Sequence, residues 1–457
     1  MNRSPHLLVL GGGTAAISAA RDAVQRGMQV TLAHEGLPLG GCCLNVGCVP
    51  SKYLIRAAEQ AHTCQRNRFP GISPNGVDID IRTLFADQRQ LVAELRKRNY
   101  EDPLPQTKGL RLVQGHGRLH SQRAITVNGE TIHGDAILIA TGSRTAHPPI
   151  SGLDAASPLT NETLFSLETL PKSMLVLGGG YIALEMAQMM CRLGVHVTLL
   201  QRSDHVLSNQ PAELGIALAD FFRAEGMTVF CGTQVQEVRR EDNIVRTRFL
   251  HEGTEKSVET ADVFAAMGRA GNTRDLNLES VGLSTHGQGF LKVGPGGQTA
   301  VPGIYAAGDV LGGHLLVYTA SYEAEQVVAH LAGEPTRTLD PDEIPWVVFT
   351  DPQVAGIGPD PDTARTHGLA VEEAVLPVKR WPRFSTAHED RGFLKLYRDP
   401  ATDTLIGARA LCPEGGDLMT ELAWIRNRRI PLRDVARSLA PYLTLSEGIQ
   451  KCAAKFY

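Results

Sequence analysis

One glycine-rich stretch occurs twice in this sequence, first as Leu7-Leu-Val-Leu-Gly-Gly-Gly-Thr-Ala-Ala16 and again as Met174-Leu-Val-Leu-Gly-Gly-Gly-Tyr-Ile-Ala183. Each copy predicts an apolar strand, a tight turn and a helix, and a second strand follows at Met28–Ala33 and at Val195–Leu200. One such motif alone is weak evidence, but two copies in the same strand-helix-strand context are strong. The repeat therefore predicts two Rossmann-like units and two bound dinucleotides, most simply those of a flavoprotein that also takes a nicotinamide cofactor.

In the first unit, three small residues and one acid have separate tasks. Gly11 makes the turn, Gly13 lets the backbone approach a pyrophosphate at the helix N-terminus, and Ala16 permits close packing of helix on strand. Glu35 follows the second strand, where a carboxylate can accept hydrogen bonds from a ribose. A solvated loop glutamate is the alternative interpretation.

In the second unit, Gly178, Gly180 and Ala183 take the corresponding positions. The strand end differs, because Gln201-Arg202 replaces the carboxylate. With no anion to repel a 2′-phosphate and an arginine to pair with it, the unit is predicted to prefer NADPH to NADH. The alternative is an exposed arginine with no ligand role.

Length and composition limit the class of protein. A chain of 457 residues suggests about three domains, and 42% hydrophobic with 21% charged residues is typical of globular proteins. The net charge of −4 gives no indication of a nucleic-acid or anionic-membrane partner. We expect a cytoplasmic protein, because the N-terminus lacks the features of a secretory signal and glycines and Glu185 interrupt the apolar run 174–190.

Three of the eight cysteines lie within seven residues, in the motif Gly40-Gly-Cys-Cys-Leu-Asn-Val-Gly-Cys-Val-Pro-Ser-Lys52. In a cytosolic protein such clustering favours redox or metal chemistry over structural disulfides. Cys43 and Cys48 are close enough to bridge across a helical turn, where a helix N-terminus lowers the pKa of a thiol. We interpret them as a redox-active pair, with a buried structural pair as the alternative.

Turn-rich crossings divide the chain of this α/β protein. The crossings at 141–149 and 333–341, with a return near residue 270, predict an FAD-binding domain formed by 1–145 and 271–340, and an NAD(P)H-binding domain at 146–270. Strand-like and helical stretches alternate from Ile344 onward, which predicts a third, C-terminal α+β domain at 341–457.

The cysteine motif resembles the active-site segment of the pyridine nucleotide-disulfide oxidoreductases, and the resemblance covers essentially the whole chain. It implies that Cys48 lies against the flavin, that Cys43 is the exchange thiol, and that the C-terminal domain dimerises to complete the partner's active site. It also implies that Lys52 and Glu185 pair beside the flavin and that Tyr181 covers the nicotinamide pocket. Further implied contacts are Gly41, Lys52, Gly117, Thr141, Gly142 and Asp309 for FAD, the last through the ribityl chain, and Gly268 for NADPH.

One difference from the disulfide reductases of this family indicates which of its members the chain resembles. Lipoamide dehydrogenase and glutathione reductase carry a C-terminal His-x-x-x-x-Glu dyad whose His protonates a leaving thiolate, whereas here Tyr442 stands at the His position before Glu447. Tyrosine, with a pKa of about 10 in water, is a poor proton shuttle at neutral pH. The segments 440–444, 99–101, 317–318 and 413–416 instead resemble mercuric reductases, in which two tyrosines matching Tyr100 and Tyr442 flank the metal. Packing is the alternative role for each tyrosine alone.

Two features depart from mercuric reductases. Those enzymes usually end in an adjacent cysteine pair that the partner subunit donates, but this chain ends as Cys452-Ala-Ala-Lys-Phe-Tyr457, and we expect no N-terminal metal-binding domain. Cys42 could serve as a relay ligand in place of the missing pair, or it could be a small residue packed near the flavin.

These observations predict an enzyme that uses FAD and NADPH to reduce Hg(II) to Hg(0) at Cys43 and Cys48, since two thiolates are good ligands for this soft ion. A reductase of a small disulfide or another thiophilic oxidised substrate is one alternative. An electron-transfer flavoprotein subunit of a larger assembly is another. The expected partners are a small-molecule or metal-ion substrate and a second copy of the chain.

Overall fold

The N-terminal part of the chain combines a parallel and a small antiparallel sheet, in a computed structural model that describes residues 4–73 and 76–457. Its elements are β1 (His6–Leu10), α1 (Thr14–Gln25), β2 (Gln29–His34), α2 (Gly41–Val46), α3 (Cys48–Gln65), α4 (Ile81–Arg96), β3 (Leu110–Gln114), β4 (Arg118–Ser121), β5 (Ala124–Val127), β6 (Glu130–His133), β7 (Ala136–Ile139) and β8 (Ser143–Thr145). A π-helical turn, Lys97–Glu101, continues α4. Strands β4, β5 and β6 form the antiparallel sheet.

The middle of the chain repeats the parallel architecture. Its elements are β9 (Ser173–Leu177), α5 (Tyr181–Arg192), β10 (His196–Leu200), α6 (Ala212–Ala224), β11 (Thr228–Phe230), β12 (Thr233–Glu241), β13 (Ile244–His251), β14 (Thr254–Thr260), β15 (Asp262–Ala265), β16 (Arg269–Gly271), β17 (Ile304–Ala306) and α7 (Val317–Leu331). The second parallel sheet has the order β11-β10-β9-β15, and β12, β13 and β14 form an antiparallel sheet beside it. Strand β16 pairs with β8, so the exit from the first unit and the return to it are adjacent. Strand β17 then completes the first parallel sheet, in the order β17-β7-β1-β2-β3.

The C-terminal domain is a five-stranded antiparallel sheet with the order β18-β19-β22-β21-β20. Its elements are β18 (Trp346–Val348), β19 (Gln353–Ile357), α8 (Pro361–Thr366), β20 (Glu372–Pro377), α9 (Pro382–Ser385), β21 (Phe393–Asp399), β22 (Thr404–Cys412), α10 (Leu418–Asn427), α11 (Leu432–Arg437) and α12 (Ser446–Ala453). Two Rossmann-like units and a C-terminal α+β domain confirm the predicted fold class, while the predicted residue limits of the domains stay predictions.

The two glycine repeats fold in the same way. The amide of Gly11 donates to the carbonyl of Ala33 at 2.8 Å, and the amide of Gly178 donates to the carbonyl of Leu200 at 3.0 Å. A Cβ atom on Gly11 would lie 2.1 Å from the carbonyl oxygen of Ala140, which no side chain permits. The repeat therefore reflects one steric requirement, met twice.

A buried ion network joins the second Rossmann-like unit to the C-terminal domain. Arg192 binds Glu225 through two hydrogen bonds of 2.6 and 2.8 Å and binds Asp351 at 2.9 Å. Arg391 contacts Asp351 at 3.3 Å and Glu389 at 2.8 Å. The network holds the start of the C-terminal sheet against α5, close to the site described below. Among the described residues, no helix has the length and apolar character to cross a membrane.

Candidate active site at the cysteine pair

The two predicted redox cysteines lie on different helices, which corrects the expectation that they share one helical turn. Cys43 is in α2, Cys48 is the first residue of α3, and Gly47 separates the helices. A Cβ atom on Gly47 would lie 2.9 Å from the carbonyl oxygen of Cys42 and 3.1 Å from Cα of Cys43. Gly47 therefore lets the chain turn back closely enough to bring the sulfurs together, a role that the sequence analysis missed.

The two thiols differ in their ionisation. Cys43 donates a hydrogen bond to the sulfur of Cys48, and this bond, helped by the nearby charge of Lys52, lowers the pKa of Cys48 to about 7 despite partial desolvation. The same hydrogen bond, together with burial, raises the pKa of Cys43. The position of Cys48 at the N-terminus of α3 also favours a thiolate. The arrangement supports a Cys48 thiolate beside a protonated Cys43.

The predicted pair of Lys52 and Glu185 is present. Nζ of Lys52 donates to Oε2 of Glu185 at 2.7 Å, and Glu185 is buried. The second oxygen, Oε1, accepts a hydrogen bond of 2.9 Å from the backbone amide of Phe349. The Lys52 ammonium also lies 4.7 Å from the centre of the Phe349 ring. The C-terminal domain thus fixes an ion pair that the two N-terminal units form.

The residues predicted to hold FAD make a narrow cradle. Gly13 directly precedes α1, and a Cβ atom on Gly41, whose φ is +62°, would lie 2.6 Å from Cα of Gly13. A Cβ atom on Gly117 would lie 2.4 Å from Cδ2 of Leu10. Ala16 is buried where α1 packs on the sheet. The cysteine motif therefore lies directly against a phosphate-binding turn, and these residues fit the pyrophosphate of FAD.

Glu35 has a partner that the sequence analysis did not identify. Its Oε2 lies 2.9 Å from Nδ1 of His116, and the other ring nitrogen of His116 is 3.1 Å from the carbonyl oxygen of Asp275. Glu35 directly follows β2 and is 57% exposed in its side chain. The pair keeps the carboxylate at the strand end where a ribose is expected.

The second unit presents a cation at the corresponding position. The hydrogen bonds of the turn glycines make Ala33 and Leu200 equivalent positions in the two units. Two residues further along the chain, the first unit has Glu35 and the second has Arg202. Arg202 is exposed, and no side-chain hydrogen bond or ion pair ties it to another residue within 4–73 and 76–457. Gly180 directly precedes α5 and has open space where its Cβ would be. These features fit an NADPH diphosphate and 2′-phosphate.

A polar network links the predicted ribityl contact to the third cysteine. Oγ of Ser143 donates to Oδ2 of Asp309 at 2.8 Å, and Nε of Arg269 donates to Oγ of Ser143 at 3.0 Å. Arg269 also reaches Sγ of Cys42 at 3.8 Å, and Asn161 donates to the same sulfur at 3.6 Å. Burial raises the pKa of Cys42. The sulfur is thus a half-buried hydrogen-bond acceptor, which favours the packing interpretation over the relay.

Three other predicted cofactor residues shape turns near this network. Oγ1 of Thr141 donates to the carbonyl of Asn272 at 2.7 Å, and the carbonyl of Gly142 accepts from the amide of Asn272 at 2.9 Å. Gly142 and Gly268 have positive φ values, of +73° and +134°. A fourth predicted cofactor residue, Ala183, is a buried residue of α5. Their contacts with nucleotides stay predictions.

The predicted tyrosines lie apart within one chain. A Cβ atom on Gly40 would lie 3.0 Å from Cε2 of Tyr100, so Tyr100 lies beside the cysteine motif. Tyr442 is 70% exposed on the loop before α12. Glu447 is buried, accepts a hydrogen bond of 3.2 Å from the amide of Leu443 and pairs with Lys451. Across the described chain, no three His, Cys, Asp or Glu side chains are grouped to hold a metal ion.

Comparisons with known proteins agree with this arrangement. Residues 5–324 match the family model of the pyridine nucleotide-disulphide oxidoreductases, and residues 344–453 match the dimerisation domain of that family. The mercuric reductase of Shewanella putrefaciens is 36% identical, over 100% of this chain and 82% of that protein, and the one of Streptomyces lividans is 34% identical, over 98% and 96%. Among solved structures, the HOCl-induced flavoprotein disulfide reductase RclA from Escherichia coli has a TM-score of 0.88 at 25% identity, over 98% of this chain and 99% of that chain.

Members of this family contain FAD and use NAD(P)H, which agrees with the cradle at Gly13 and Gly41 and the open turn at Gly180. The fold, the site and the comparisons therefore indicate an oxidoreductase with a flavin and a cysteine pair. The chain belongs to the pyridine nucleotide-disulphide oxidoreductase family.

Proposed function

We propose that the protein reduces Hg(II) to Hg(0) with electrons from NADPH, which becomes NADP⁺ and releases one proton. The observation that carries the proposal is the sulfur pair, in which Cys43 donates a hydrogen bond to a Cys48 of low pKa. Two sulfurs that reach each other, of which Cys48 forms a thiolate near neutral pH, suit a soft ion with linear coordination once the ion displaces the Cys43 proton. The mercuric reductases among the relatives support the same substrate.

Each site residue then has a defined task. Bound FAD supplies the relay of an electron pair from the nicotinamide to the sulfur site. Cys43 and Cys48 hold Hg(II), and the charge of Lys52 stabilises the Cys48 thiolate while Glu185 orients Lys52. Binding of Hg(II) displaces the Cys43 proton, since the thiolate is the metal ligand. We assign NADPH selection to Arg202.

The proposed enzyme is a cytoplasmic homodimer. The matched dimerisation domain supports a pairing of two copies. In that dimer Tyr442 and Glu447 would face the partner's Cys43. The exposure of Tyr442 agrees with this role, because the ring has few neighbours within its own chain. Tyr100 lies beside Gly40 of the cysteine motif, so that in the dimer two tyrosines would flank the ion.

NADPH oxidation and release of Hg(0) with Hg(II)–thiol complexes test the proposal. Cys43→Ser and Cys48→Ser should each abolish turnover. Cys64→Ser, at an exposed cysteine of α3, should leave turnover unchanged. Cys42→Ser reduces turnover only if Cys42 acts as a relay. Rapid reduction of glutathione disulfide together with no reduction of Hg(II) would contradict the assignment.

A disulfide or another thiophilic oxidised substrate is the second candidate. RclA, whose fold this chain shares, is named a flavoprotein disulfide reductase and has also been solved as a Cu(II) complex. Glutathione disulfide and Cu(II) therefore belong in the same assay as competing acceptors. An electron-transfer subunit would oxidise NADPH with none of the three when purified alone.

A further inference from the structure

The ring of Tyr181 stacks on the indole of Trp346, a residue of the C-terminal domain. The ring centroids are 5.7 Å apart and the planes are inclined by 22°. Tyr181 is the first residue of α5, directly after Gly180 of the nucleotide-binding turn. Trp346 begins β18, three residues before Phe349, whose amide binds Glu185. The stacked rings therefore lie between the NADPH turn and the ion pair expected beside the flavin.

The indole of Trp346 is held in place independently of Tyr181. The guanidinium of Arg409 lies 5.6 Å from the indole centre, and Arg409 is buried. Its Nη1 donates to the carbonyls of Ile357 and Gly358 at 3.1 and 3.0 Å. A Cβ atom on Gly356 would lie 2.6 Å from Cζ2 of Trp346, so the indole packs directly on the neighbouring strand. The fixed indole therefore offers a rigid surface to the ring of Tyr181.

We propose that Trp346 is a positioning residue whose indole holds Tyr181 across the nicotinamide pocket, so that entry of the nucleotide has to separate the two rings. The proposal rests on the proposed role of Tyr181 in covering that pocket. Separation of the rings costs the stacking contact, which opposes nucleotide binding. Burial of Tyr181, which raises the pKa of its hydroxyl, agrees with an enclosed ring.

Titration of the FAD-loaded dimer with NADP⁺ tests the proposal without any electron acceptor. Loss of the stack in Trp346→Ala should tighten NADP⁺ binding about two- to tenfold, the range of an aromatic pair contact, and Trp346→Phe should lie between this variant and the natural protein. Trp424→Ala, which removes a 64% exposed tryptophan on α10, should bind NADP⁺ as the natural protein does. An unchanged or weaker affinity in Trp346→Ala overturns the proposal.

A second variant assigns the effect to Tyr181. In a Tyr181→Ala background the stack is already absent, so adding Trp346→Ala should leave the NADP⁺ affinity unchanged. Tryptophan emission gives an independent signal, because NADP⁺ should alter the emission of the natural protein and do so far less in Trp346→Phe. If Trp346→Ala does not retain FAD, Trp346→Phe and the emission signal decide the question. Failure of Hg(II) reduction leaves these binding measurements unaffected, so the two proposals fail separately.

Discussion

Replacing Cys43 with alanine should raise the pKa of Cys48 from about 7 to the ordinary thiol value of 9.0 or above. The hydrogen bond from Cys43 is the largest cause of the low value. Without it, the charge of Lys52 and a backbone hydrogen bond still lower the pKa of Cys48, against the desolvation of its sulfur and the charge of Glu185. In Cys43→Ala the Cys48 thiolate should therefore be largely lost at neutral pH and should form in alkaline solution.

The size of the effect follows from the two values. At pH 7 a thiol with a pKa near 7 is about half ionised, and a thiol with a pKa near 9 is about 1% ionised, a difference of roughly fiftyfold. A thiolate of lower pKa is also less nucleophilic, and over this interval that difference reduces the advantage in ionised fraction roughly tenfold. Alkylation of Cys48 at pH 7 should therefore slow about fivefold in Cys43→Ala.

Alkylation of the reduced protein by iodoacetamide, followed across pH, measures the change. Tandem mass spectrometry assigns the label to Cys48, and the exposed Cys64 serves as an internal reference. The midpoint should move from about pH 7 to pH 9 or above in Cys43→Ala and stay near pH 7 in Cys42→Ala. A midpoint that stays near pH 7 without Cys43 would refute the assigned hydrogen bond.

Three further predictions concern the cofactors and the dimer. Arg202→Ala should lower the NADPH/NADH ratio of kcat/KM roughly ten- to a hundredfold, since a charge-assisted contact contributes about 1.5–3 kcal/mol; an unchanged ratio means that Arg202 is not the selector. Gly41→Ala should abolish retention of FAD, judged by the yellow flavin absorbance, because the new Cβ would lie 2.6 Å from Cα of Gly13, whereas Gly253→Ala, at a positive φ in open space, should keep it. Light scattering should show a dimer. Tyr442→Ala should slow Hg(II) turnover without dissociating the dimer, whereas full activity in a monomer would contradict the shared site.

The parts of the molecule that local sterics determine could be predicted from the sequence. The glycine repeats predict two nucleotide-binding units because the turn after each strand leaves no room for a side chain. A Cβ atom on Gly11, for example, would lie 2.1 Å from the carbonyl oxygen of Ala140. The pairing of Lys52 with Glu185 was also accessible, through a resemblance that covers both positions. Contacts made by long-range packing were not accessible. The stack of Tyr181 on Trp346 joins residues of different domains, and no local pattern marks either as the other's neighbour.

The helix break at the cysteines shows a different limit. The spacing of Cys43 and Cys48 suits a single helical turn, yet Gly47 interrupts the helix between them. Propensity alone does not decide between a continuous helix and a break, because glycine costs only about 1 kcal/mol inside a helix. The close approach of Gly47 to the backbone of the preceding turn decides it, and this approach exists only in the folded chain.

The hydrogen bond between the Phe349 amide and Glu185 has a consequence for how the site can be probed and engineered. The donor is backbone, so every residue except proline supplies it, and scanning by alanine would not detect the bond. A substitution at residue 349 can likewise change the ring over Lys52 without unpairing the carboxylate. A grafted C-terminal domain from a distant relative should thus preserve the pairing of Lys52 with Glu185, provided that its first strand follows the same path. Compatibility between the halves of a chimera would then depend on the course of the main chain at residue 349 rather than on the identity of its side chain.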